Sequence, residues 1–385
     1  MLKIAIDATS LTPQPSGIGL YVKNLIYGLY DLQTQDEFIM SIVHQPRLKE
    51  WLTFQSNELK FLNLDTRVYK LPIPVTISSI LSKFPNSIIP YYESFLGCPD
   101  ILHGLDHVVY PCAKSLKVMT IHDLTFIKYP NFVSSITKNY SDRIKQCINW
   151  TDLIITVSES SKRDIVKYLN VKPEKIYVTH LASRYDTNYL NIEVIDILKE
   201  KISYNFIKPY ILFVGTLEPR KNINKIIDAF NLLKKRHKID HQLILIGKKG
   251  WQYKSILTDI QKSPYKNEIF QLDYLADELV ALFYSKADVF VYPSHYEGFG
   301  LPVLEAMTLG APVVASNTSS IPEVAGDAAI LIDPDDFMQI AEALLKVISD
   351  RQLRQDLINK GKARASLFSW ENTAKKTLEA YRSIS

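Results

Sequence analysis

The sequence predicts an α/β protein made of two domains, each built around its own parallel sheet. Its 385 residues exceed the size of one typical hydrophobic core. Short apolar runs alternate with amphipathic stretches, a pattern typical of parallel strands joined by helices. An irregular stretch at 183–209 separates two such series. We therefore predict domains at residues 1–185 and 186–369, followed by a C-terminal helix at 370–385.

The first series contains alternating strand-like and helix-like segments. The predicted strands span residues 3–7, 38–43, 101–103, 117–121, 153–157 and 176–178, and the predicted helices span 19–32, 133–151 and 159–169. Ser158 before Glu159 predicts a capped start for the last of these helices. The proline-broken stretch at 71–96 predicts short helices with an apolar side. That side would pack on the first sheet or form an acceptor- or membrane-facing surface.

The second series repeats the same alternation. The predicted strands span residues 210–214, 242–246, 269–272, 288–291, 312–315 and 329–332, and the predicted helices span 221–238, 276–286 and 301–309. In open α/β sheets, ligands bind beyond the carboxyl ends of the strands. Candidate site residues should therefore follow strands directly.

The bulk composition excludes some function classes. A net charge of +4 is too small to predict nucleic-acid binding, although it suits a weak attraction to anionic surfaces. No apolar run reaches about 18 residues, and the first residues do not resemble a signal peptide. We therefore predict a cytoplasmic protein, with peripheral contact to the inner face of the plasma membrane as an option.

Neither a metal site nor a cofactor is predicted. The spacing of Cys98, Cys112 and Cys147 matches no zinc or redox pattern. The segment 333–336 (DPDD) contains a D-x-D string of the kind that holds Mg²⁺. Its place between a strand and a helix favours turn and helix-capping roles instead.

The segment from Glu297 to Glu305 (EGFGLPVLE) is the strongest candidate for a binding site. It follows a predicted buried strand, and Pro302 suits the first helical position. Gly298 and Gly300 would let the backbone approach a ligand, with helix amides facing an anion. Carboxylates at both ends could bind sugar hydroxyls. Amides that bind phosphate and carboxylates that bind hydroxyls together indicate a nucleotide-sugar site. A tight turn and an acid in the first helical turn would explain the same residues without a ligand.

Three other segments follow predicted strands. Arg220 and Lys221 stand at the predicted start of a helix, where two cations are unfavourable unless an anion lies nearby; a solvated pair is the alternative. Gly17, after the first strand, could present an amide to a phosphate. His122 directly follows another predicted strand. It could contact a ligand there or have only a structural role.

Five motifs, taken in order, resemble the retaining glycosyltransferases of the GT-B fold. More narrowly, they resemble glycosyltransferase family 4, which includes many bacterial polysaccharide and glycolipid enzymes. The motifs are GIG at 17–19, IHD at 121–123, GTLEPRKN at 215–222, ADVFVYPSHYEGFGLPVLEAM at 287–307 and SSIPEVAGDAAILIDP at 319–334. The resemblance implies two Rossmann-like parallel-sheet domains facing an interdomain cleft, an acceptor domain at 1–185 and a nucleotide-sugar donor domain at 186–369. The C-terminal helix at 370–385 would cross back to the first domain.

The resemblance also implies roles for individual residues. Glu305 would bind the ribose hydroxyls and Glu297 the sugar hydroxyls near the reacting carbon. Lys221 with Arg220 would neutralise the leaving diphosphate, and His122 would contact the donor sugar. Further donor contacts are implied for Gly17, Gly215, Thr216, Leu272, Tyr274, Gly298, Phe299, Gly300 and Leu301.

One position departs from the family pattern. Many relatives carry Arg where this chain has Thr216, so Arg220 would have to take over part of that role. The implied reaction is a metal-independent, retaining transfer of a hexose from a nucleoside-diphosphate sugar to an acceptor hydroxyl in polysaccharide or lipid-linked oligosaccharide synthesis. UDP-glucose is the first donor expected and GDP-mannose the second. A nucleotide-sugar epimerase, a hydrolase or a non-catalytic binding protein on the same scaffold remain alternatives.

Overall fold

The computed structural model describes residues 1–12, 17–33, 38–53, 59–81, 93, 95–133, 140–187, 189, 204 and 206–385. The chain forms two compact units. The first unit comprises Met1–Ile127, Ser135–Leu181 and Ser369–Ser385, and the second comprises Lys128–Ser134 and Ala182–Phe368. The backbone therefore leaves the first unit twice and returns to it at the C-terminus.

Within the described residues, the first unit has a seven-stranded parallel sheet in the order β3-β2-β1-β4-β5-β6-β7. Its strands are β1 (Leu2–Asp7), β2 (Phe38–His44), β3 (Arg67–Lys70), β4 (Ile101–Gly104), β5 (Leu116–Ile121), β6 (Leu153–Thr156) and β7 (Ile176–Val178). The central strands are buried on both faces, which is why they are continuous apolar runs in the sequence. Their carboxyl ends share one edge, to which Asp7 and the residues after Ile121 belong.

The helices of the first series alternate with these strands along the chain. They are α1 (Ile18–Gln33), α2 (Leu48–Thr53), α3 (Val75–Leu81), α4 (Thr125–Lys128), α5 (Tyr140–Ile148), α6 (Glu159–Leu169) and the C-terminal helix, here α14 (Trp370–Arg382). Ser158 caps α6 as predicted, because its Oγ accepts the Ser161 N–H at 3.0 Å. The C-terminal helix packs on α1, so the chain ends in the first unit.

The second unit has a six-stranded parallel sheet within the described residues, in the order β10-β9-β8-β11-β12-β13. Its strands are β8 (Tyr210–Val214), β9 (Gln242–Ile246), β10 (Ile269–Leu272), β11 (Val289–Tyr292), β12 (Val313–Ser316) and β13 (Ala329–Ile332). Its helices are α7 (Ile223–His237), α8 (Lys254–Lys262), α9 (Asp277–Lys286), α10 (Leu301–Thr308), α11 (Ile321–Ala325), α12 (Phe337–Ser349) and α13 (Arg351–Ala365). The two parallel-sheet, Rossmann-like units confirm the predicted α/β fold class.

Some segments differ from the prediction. β3 was not predicted because the strand is short (RVYK) and mostly exposed, so its sequence contains no apolar run. The helix predicted at 133–151 is described only as α5, since 134–139 lie outside the described residues. In the proline-broken stretch the structure describes α3, and residues 82–92 and 94 also lie outside it.

A search of the described helices for a membrane-spanning segment finds none that is long and apolar enough.

Candidate active site

The predicted glycine-rich loop joins β11 to α10 in the second unit. α10 begins at Leu301, so Pro302 is the second helical residue rather than the first. Gly300 just before it has a φ of 106°, a backbone conformation that residues with a side chain rarely adopt, so glycine is favoured there. The first N–H groups of a helix have no intrahelical acceptor, and they can therefore bind an anion.

Glu297 is the centre of a buried polar cluster in this loop. Its Oε1 accepts hydrogen bonds from Lys221 Nζ at 2.5 Å, Ser294 Oγ at 2.6 Å and the Tyr292 hydroxyl at 3.1 Å. Its Oε2 lies 2.9 Å from Arg220 Nη1. The structure thus brings together three residues that the sequence predicted as catalytic, namely Glu297, Lys221 and Arg220.

The predicted location of the two cations at a helix start is wrong. Arg220 and Lys221 lie in a short 3-10 turn, Pro219–Lys221, which is separated from α7 by Asn222 in the left-handed conformation (φ 59°). Both side chains instead pair with the buried carboxylate of Glu297, Lys221 through Nζ at 2.5 Å and Arg220 through Nη1 at 2.9 Å. The alternative of a solvated pair fails for Lys221, which is only 7% exposed.

The cations control the charge of Glu297. Burial alone would raise the pKa of this carboxyl, but Arg220 and Lys221 outweigh burial and lower it to about 2. Burial and the neighbouring Arg220 lower the pKa of Lys221, against the opposing effect of Glu297. Arg220 also pairs with Glu218, whose Oε1 lies 2.6 Å from Arg220 Nη2, so two cations and two carboxylates form one network in a largely buried site.

Glu305 lies in a separate ion pair, which sequence reasoning missed. Arg184 Nε donates to its Oε1 at 2.7 Å and Arg184 Nη2 to its Oε2 at 3.3 Å. The same guanidinium donates to Asp277 Oδ1 at 2.8 Å. Arg184 belongs to the irregular stretch between the two series, where no strand or motif marked it.

The position of Glu305 in α10 also differs from the prediction. It is the fifth helical residue and not part of the first turn, where α10 has no acid. The favourable interaction of an acid with the helix dipole in the first turn therefore does not explain the presence of Glu305. Its side chain is 1% exposed, and burial raises its pKa despite the partial compensation by Arg184.

The other predicted donor contacts of the second unit lie at the carboxyl edge of its sheet. Gly215 and Thr216 directly follow β8. Thr216 lies so close to Gly250 that a Cβ added to Gly250 would be 2.4 Å from Thr216 Cγ2. Leu272 ends β10, and Tyr274 is 46% exposed with Lys248 Nζ 4.4 Å from its ring centroid.

One side chain of the glycine-rich loop is turned inward, and a serine outside the loop supports its backbone. The side chain of Phe299 is buried, with its ring 5.8 Å from that of Phe368, so only its backbone could meet a ligand. Ser320 Oγ donates to the carbonyl oxygens of Glu297 at 2.9 Å and Phe299 at 2.8 Å. Ser320, like Ser294, supports the loop, although the sequence singled out neither.

Gly17 and His122 belong to the first unit. Gly17 precedes α1 with a φ of 54°, and its neighbour Ser16 lies outside the described residues. His122 Nε2 is 2.9 Å from the Leu105 carbonyl, so Nε2 carries the proton and Nδ1 is the acceptor nitrogen. Burial and the neighbouring His107 lower the pKa of His122 to about 4, which makes the ring neutral at neutral pH.

The aspartates at 333–336 have the capping roles that their position predicted. Asp336 Oδ1 accepts the N–H groups of Met338 at 3.0 Å and Gln339 at 3.1 Å at the start of α12, and Asp333 Oδ1 accepts the Asp335 N–H. In the part of the chain that the structure describes, no group of three His, Cys, Asp or Glu side chains is arranged to hold a metal ion.

Comparison with known families identifies both units. Residues 58–182 match the model of Glycosyltransferase Family 4, and residues 195–364 match that of Glycosyl transferases group 1. O-antigen chain mannosyltransferase B from Escherichia coli is 36% identical over 284 residues, which cover 73% of this chain and 74% of that protein. This chain belongs to the group 1 glycosyltransferases and is a hexosyltransferase.

Other relatives and solved structures agree with this family. The serotype-specific mannosyltransferase WbdA from Escherichia coli is 30% identical over 236 residues, which cover 60% of this chain but only 28% of that protein. Sucrose-phosphate synthase from Thermosynechococcus elongatus has a TM-score of 0.73 at 19% identity, covering 100% of this chain and 99% of that one. Anabaena HepE in complex with UDP-glucose has a TM-score of 0.73 at 17% identity, with 100% of both chains covered. These structures establish the GT-B fold.

Proposed function

We propose that this protein is a retaining, metal-independent mannosyltransferase that uses a nucleoside-diphosphate mannose and builds an O-antigen-type polysaccharide. The observation that carries the proposal is the buried cluster of Lys221, Arg220 and Glu297 beside the N-terminus of α10. A glycosyl donor leaves behind a diphosphate, so the enzyme must stabilise negative charge as it develops. Preorganised cations in a site shielded from water do this most effectively.

The cluster supports specific roles for its members. Lys221 and Arg220 would neutralise the leaving diphosphate, and the first amides of α10 would donate to its oxygens. Glu297 holds both cations in place before the donor binds, and its carboxylate would accept a hydrogen bond from a sugar hydroxyl. Because side chains supply the positive charge, the proposed reaction needs no metal. His122 and Gly17 would contact the donor from the first unit.

The relatives favour mannose as the transferred sugar. Proteins named as mannosyltransferases are 36% and 30% identical to this chain, whereas the HepE structure with UDP-glucose is 17% identical. We therefore propose GDP-mannose as the donor in place of UDP-glucose, our first expectation from the sequence. The acceptor would be a polysaccharide or lipid-linked oligosaccharide. A cytoplasmic location, with peripheral contact to the inner face of the plasma membrane, would suit such an acceptor.

Release of nucleoside diphosphate tests this function. Wild-type protein should release GDP from GDP-mannose only when a mannosyl acceptor is present, and should do so in the presence of a chelator. Lys221→Met should lower kcat by roughly 10²–10³, the usual cost of losing one preorganised charge-stabilising group. Exposed Lys235→Met is the matched control and should keep full activity.

The same assay separates the alternatives. Equal GDP release with and without acceptor would identify a hydrolase, and conversion of the donor sugar without release would identify an epimerase. Faster turnover of UDP-glucose than of GDP-mannose would restore the first donor assignment. The anomeric configuration of the first product, read by NMR, decides between retention and inversion. Full activity of Lys221→Met would contradict the proposed site.

A further inference from the structure

Tyr292 places a hydroxyl group between Lys221 and Glu297. This residue ends β11, and its side chain is fully buried. Its hydroxyl accepts a hydrogen bond from Lys221 Nζ at 2.6 Å and donates one to Glu297 Oε1 at 3.1 Å. The oxygen and the proton of the hydroxyl therefore both have partners, and both partners belong to the proposed diphosphate site.

The packing of the sheet does not require this hydroxyl group. The other residues of β11, Val289, Phe290 and Val291, are apolar and fully buried, and a phenylalanine at position 292 would continue that pattern. Burying a phenol hydroxyl costs free energy unless it finds hydrogen-bond partners. The polar cluster therefore explains why this strand ends in Tyr and not in Phe.

Neighbouring rings hold the Tyr292 side chain in place. Phe213 on β8 stacks on its ring with 5.8 Å between the centroids, and Phe290 on β11 stacks on it with 5.7 Å. β8 and β11 are the two central strands of the second sheet. The hydroxyl oxygen of Tyr292 is therefore a fixed point to which a flexible side chain can be attached.

Two fixed partners leave one N–H of Lys221 for a ligand. A lysine ammonium has three N–H donors at the end of a flexible four-carbon chain. In the part of the chain that the structure describes, Nζ has two acceptors, Glu297 Oε1 at 2.5 Å and the Tyr292 hydroxyl at 2.6 Å. With one partner, Nζ could swing about it. Two partners on different elements fix its position and the direction of the third N–H.

We propose that Tyr292 is a positioning residue for the transfer reaction: its hydroxyl fixes the ammonium of Lys221 so that the third N–H meets the leaving diphosphate. The side chain of Tyr292 is shielded from solvent, so it acts through Lys221 and does not touch the donor. A charge that is already in place stabilises the transition state without reorganisation. This inference rests on the proposed function, because that function assigns Lys221 to the diphosphate.

The hydroxyl group also favours the charged form of Lys221. Burial and Arg220 lower the pKa of Lys221, and the carboxylates of Glu297 and Glu218 oppose them. A hydrogen bond accepted from the ammonium acts in the same direction as the carboxylates, since it stabilises the charged form. Burial and Glu297 raise the pKa of Tyr292 well above 10, so the hydroxyl itself stays neutral. Loss of the hydroxyl should therefore lower the pKa of Lys221 further.

Tyr292→Phe removes the hydroxyl and keeps the ring. With whichever nucleoside-diphosphate sugar the protein turns over, we expect kcat to fall by about tenfold to a hundredfold, because a misplaced charge stabilises the transition state less well. The alkaline limb of the pH profile of kcat should move about one pH unit lower. The control is Tyr210→Phe, which removes a buried hydroxyl that donates to the Phe283 carbonyl at 2.7 Å. It should keep the kcat and the pH profile of the wild type.

A double-mutant cycle shows whether Tyr292 acts through Lys221. In the Lys221→Met background, Tyr292→Phe should lower kcat by less than about threefold, because the ammonium that the hydroxyl positions is absent. The same loss with and without Lys221 would show that the hydroxyl only stabilises the fold, and it would overturn the inference.

Titration of Lys221 needs neither donor nor acceptor, so it separates this inference from the proposed function. In full-length protein with isotope-labelled lysine, the Lys221 signal is the NMR signal that Lys221→Met lacks. Its titration midpoint should lie about one pH unit lower in Tyr292→Phe than in the wild type, and should be unchanged in Tyr210→Phe. An unchanged midpoint in Tyr292→Phe would overturn the inference even if mannosyl transfer is found. A lowered midpoint would support it even if GDP-mannose proves to be the wrong donor.

Discussion

Glu297 and Glu305 are both buried carboxylates of the second unit, yet their surroundings act in opposite directions. The pKa of Glu297 is lowered to about 2, because Arg220 and Lys221 outweigh the effect of burial. The pKa of Glu305 is raised, because burial outweighs the single guanidinium of Arg184. Glu297 is therefore held firmly as an anion by two cations, whereas Glu305 has one cationic partner, Arg184.

The dependence of Glu305 on Arg184 can be measured with a double-mutant cycle. Arg184→Met should lower the free energy of unfolding by about 3–5 kcal/mol, because it leaves a buried carboxylate uncompensated. The loss should be much smaller in a Glu305→Gln background, which gives a coupling energy of about 1–3 kcal/mol. Urea denaturation of the four proteins provides these values.

The exposed ion pair of Lys360 and Asp327 is the matched control for this cycle. Lys360→Met and Asp327→Asn should couple far more weakly than the buried pair, because solvent screens an exposed ion pair. Equal coupling energies for the two pairs would mean that burial does not strengthen the contact between Arg184 and Glu305.

His103 makes the stability of the first unit depend on pH. Its ring is fully buried, with Nδ1 2.6 Å from the Tyr381 hydroxyl and Nε2 2.8 Å from Thr120 Oγ1. Burial lowers its pKa from 6.5 to about 3. Between these values the unfolded chain binds more protons than the folded one, so the free energy of unfolding falls as the pH drops below 6.5.

Through His103 alone, lowering the pH from about 7 to about 5 should cost about 2 kcal/mol of stability. In His103→Gln the pH-dependent loss should be smaller than in the wild type by that amount, as measured by urea denaturation at both pH values. Exposed His237→Gln should retain the full loss. An unchanged pH dependence in His103→Gln would show that this ring is charged in the folded protein or exchanges readily with solvent.

At the scale of secondary-structure elements, the sequence predicts the strands and helices that have a clear local pattern of apolar residues. β8 and β9 are predicted with their observed bounds, because a strand buried on both faces must be a continuous apolar run. β3 lacks that run. The turn Pro219–Lys221 depends on the left-handed Asn222 and on a carboxylate 76 positions away, so no local pattern reveals it.

The same distinction holds for the candidate site. Glu297 and Lys221 are found from the sequence because each stands in a short motif directly after a strand. Arg184 reaches Glu305 across 121 positions from an irregular segment, and its role exists only through that contact. Residues that act through long-range pairing carry no signal in their immediate sequence.

The contact between α1 and the C-terminal helix α14 requires a small residue at position 28. A Cβ on Gly28 would lie 2.9 Å from Ala374 Cβ and 3.2 Å from the Trp370 carbonyl oxygen. Gly28→Leu should therefore push the helices apart and lower the free energy of unfolding by about 1–3 kcal/mol. Lys23→Leu on the same helix, away from this contact, should change it by less than about 0.5 kcal/mol. If chemical denaturation finds Gly28→Leu as stable as the wild type, the two helices separate without cost.

At the scale of the whole molecule, the two units divide the proposed roles. The cluster of Glu297, Lys221 and Arg220 and the pair of Arg184 and Glu305 lie entirely in the second unit. The second unit also includes the short segment Lys128–Ser134. In that segment Tyr129 lies 5.5 Å from the Tyr296 ring and Phe132 stacks on His295 at 5.5 Å.

A fragment of residues 182–368 should therefore bind the nucleotide by itself. It contains every described strand of the second sheet, although it lacks the aromatic contacts of Tyr129 and Phe132, and it should be less stable than the same unit in the full chain. Calorimetric titration with GDP should detect binding to the fragment, and Lys221→Met in the fragment should weaken it, because the charge that meets the diphosphate is removed.

The difference in GDP affinity between the fragment and the full chain measures what the first unit contributes. A loss above about tenfold in the fragment, more than ~1.4 kcal/mol, would assign that energy to first-unit residues such as Gly17 and His122. A smaller loss would confine nucleotide recognition to the second unit and leave the first unit to the acceptor. A fragment that circular dichroism shows to be folded, yet that binds no GDP, would contradict the placement of the nucleotide site around Lys221 and Glu297.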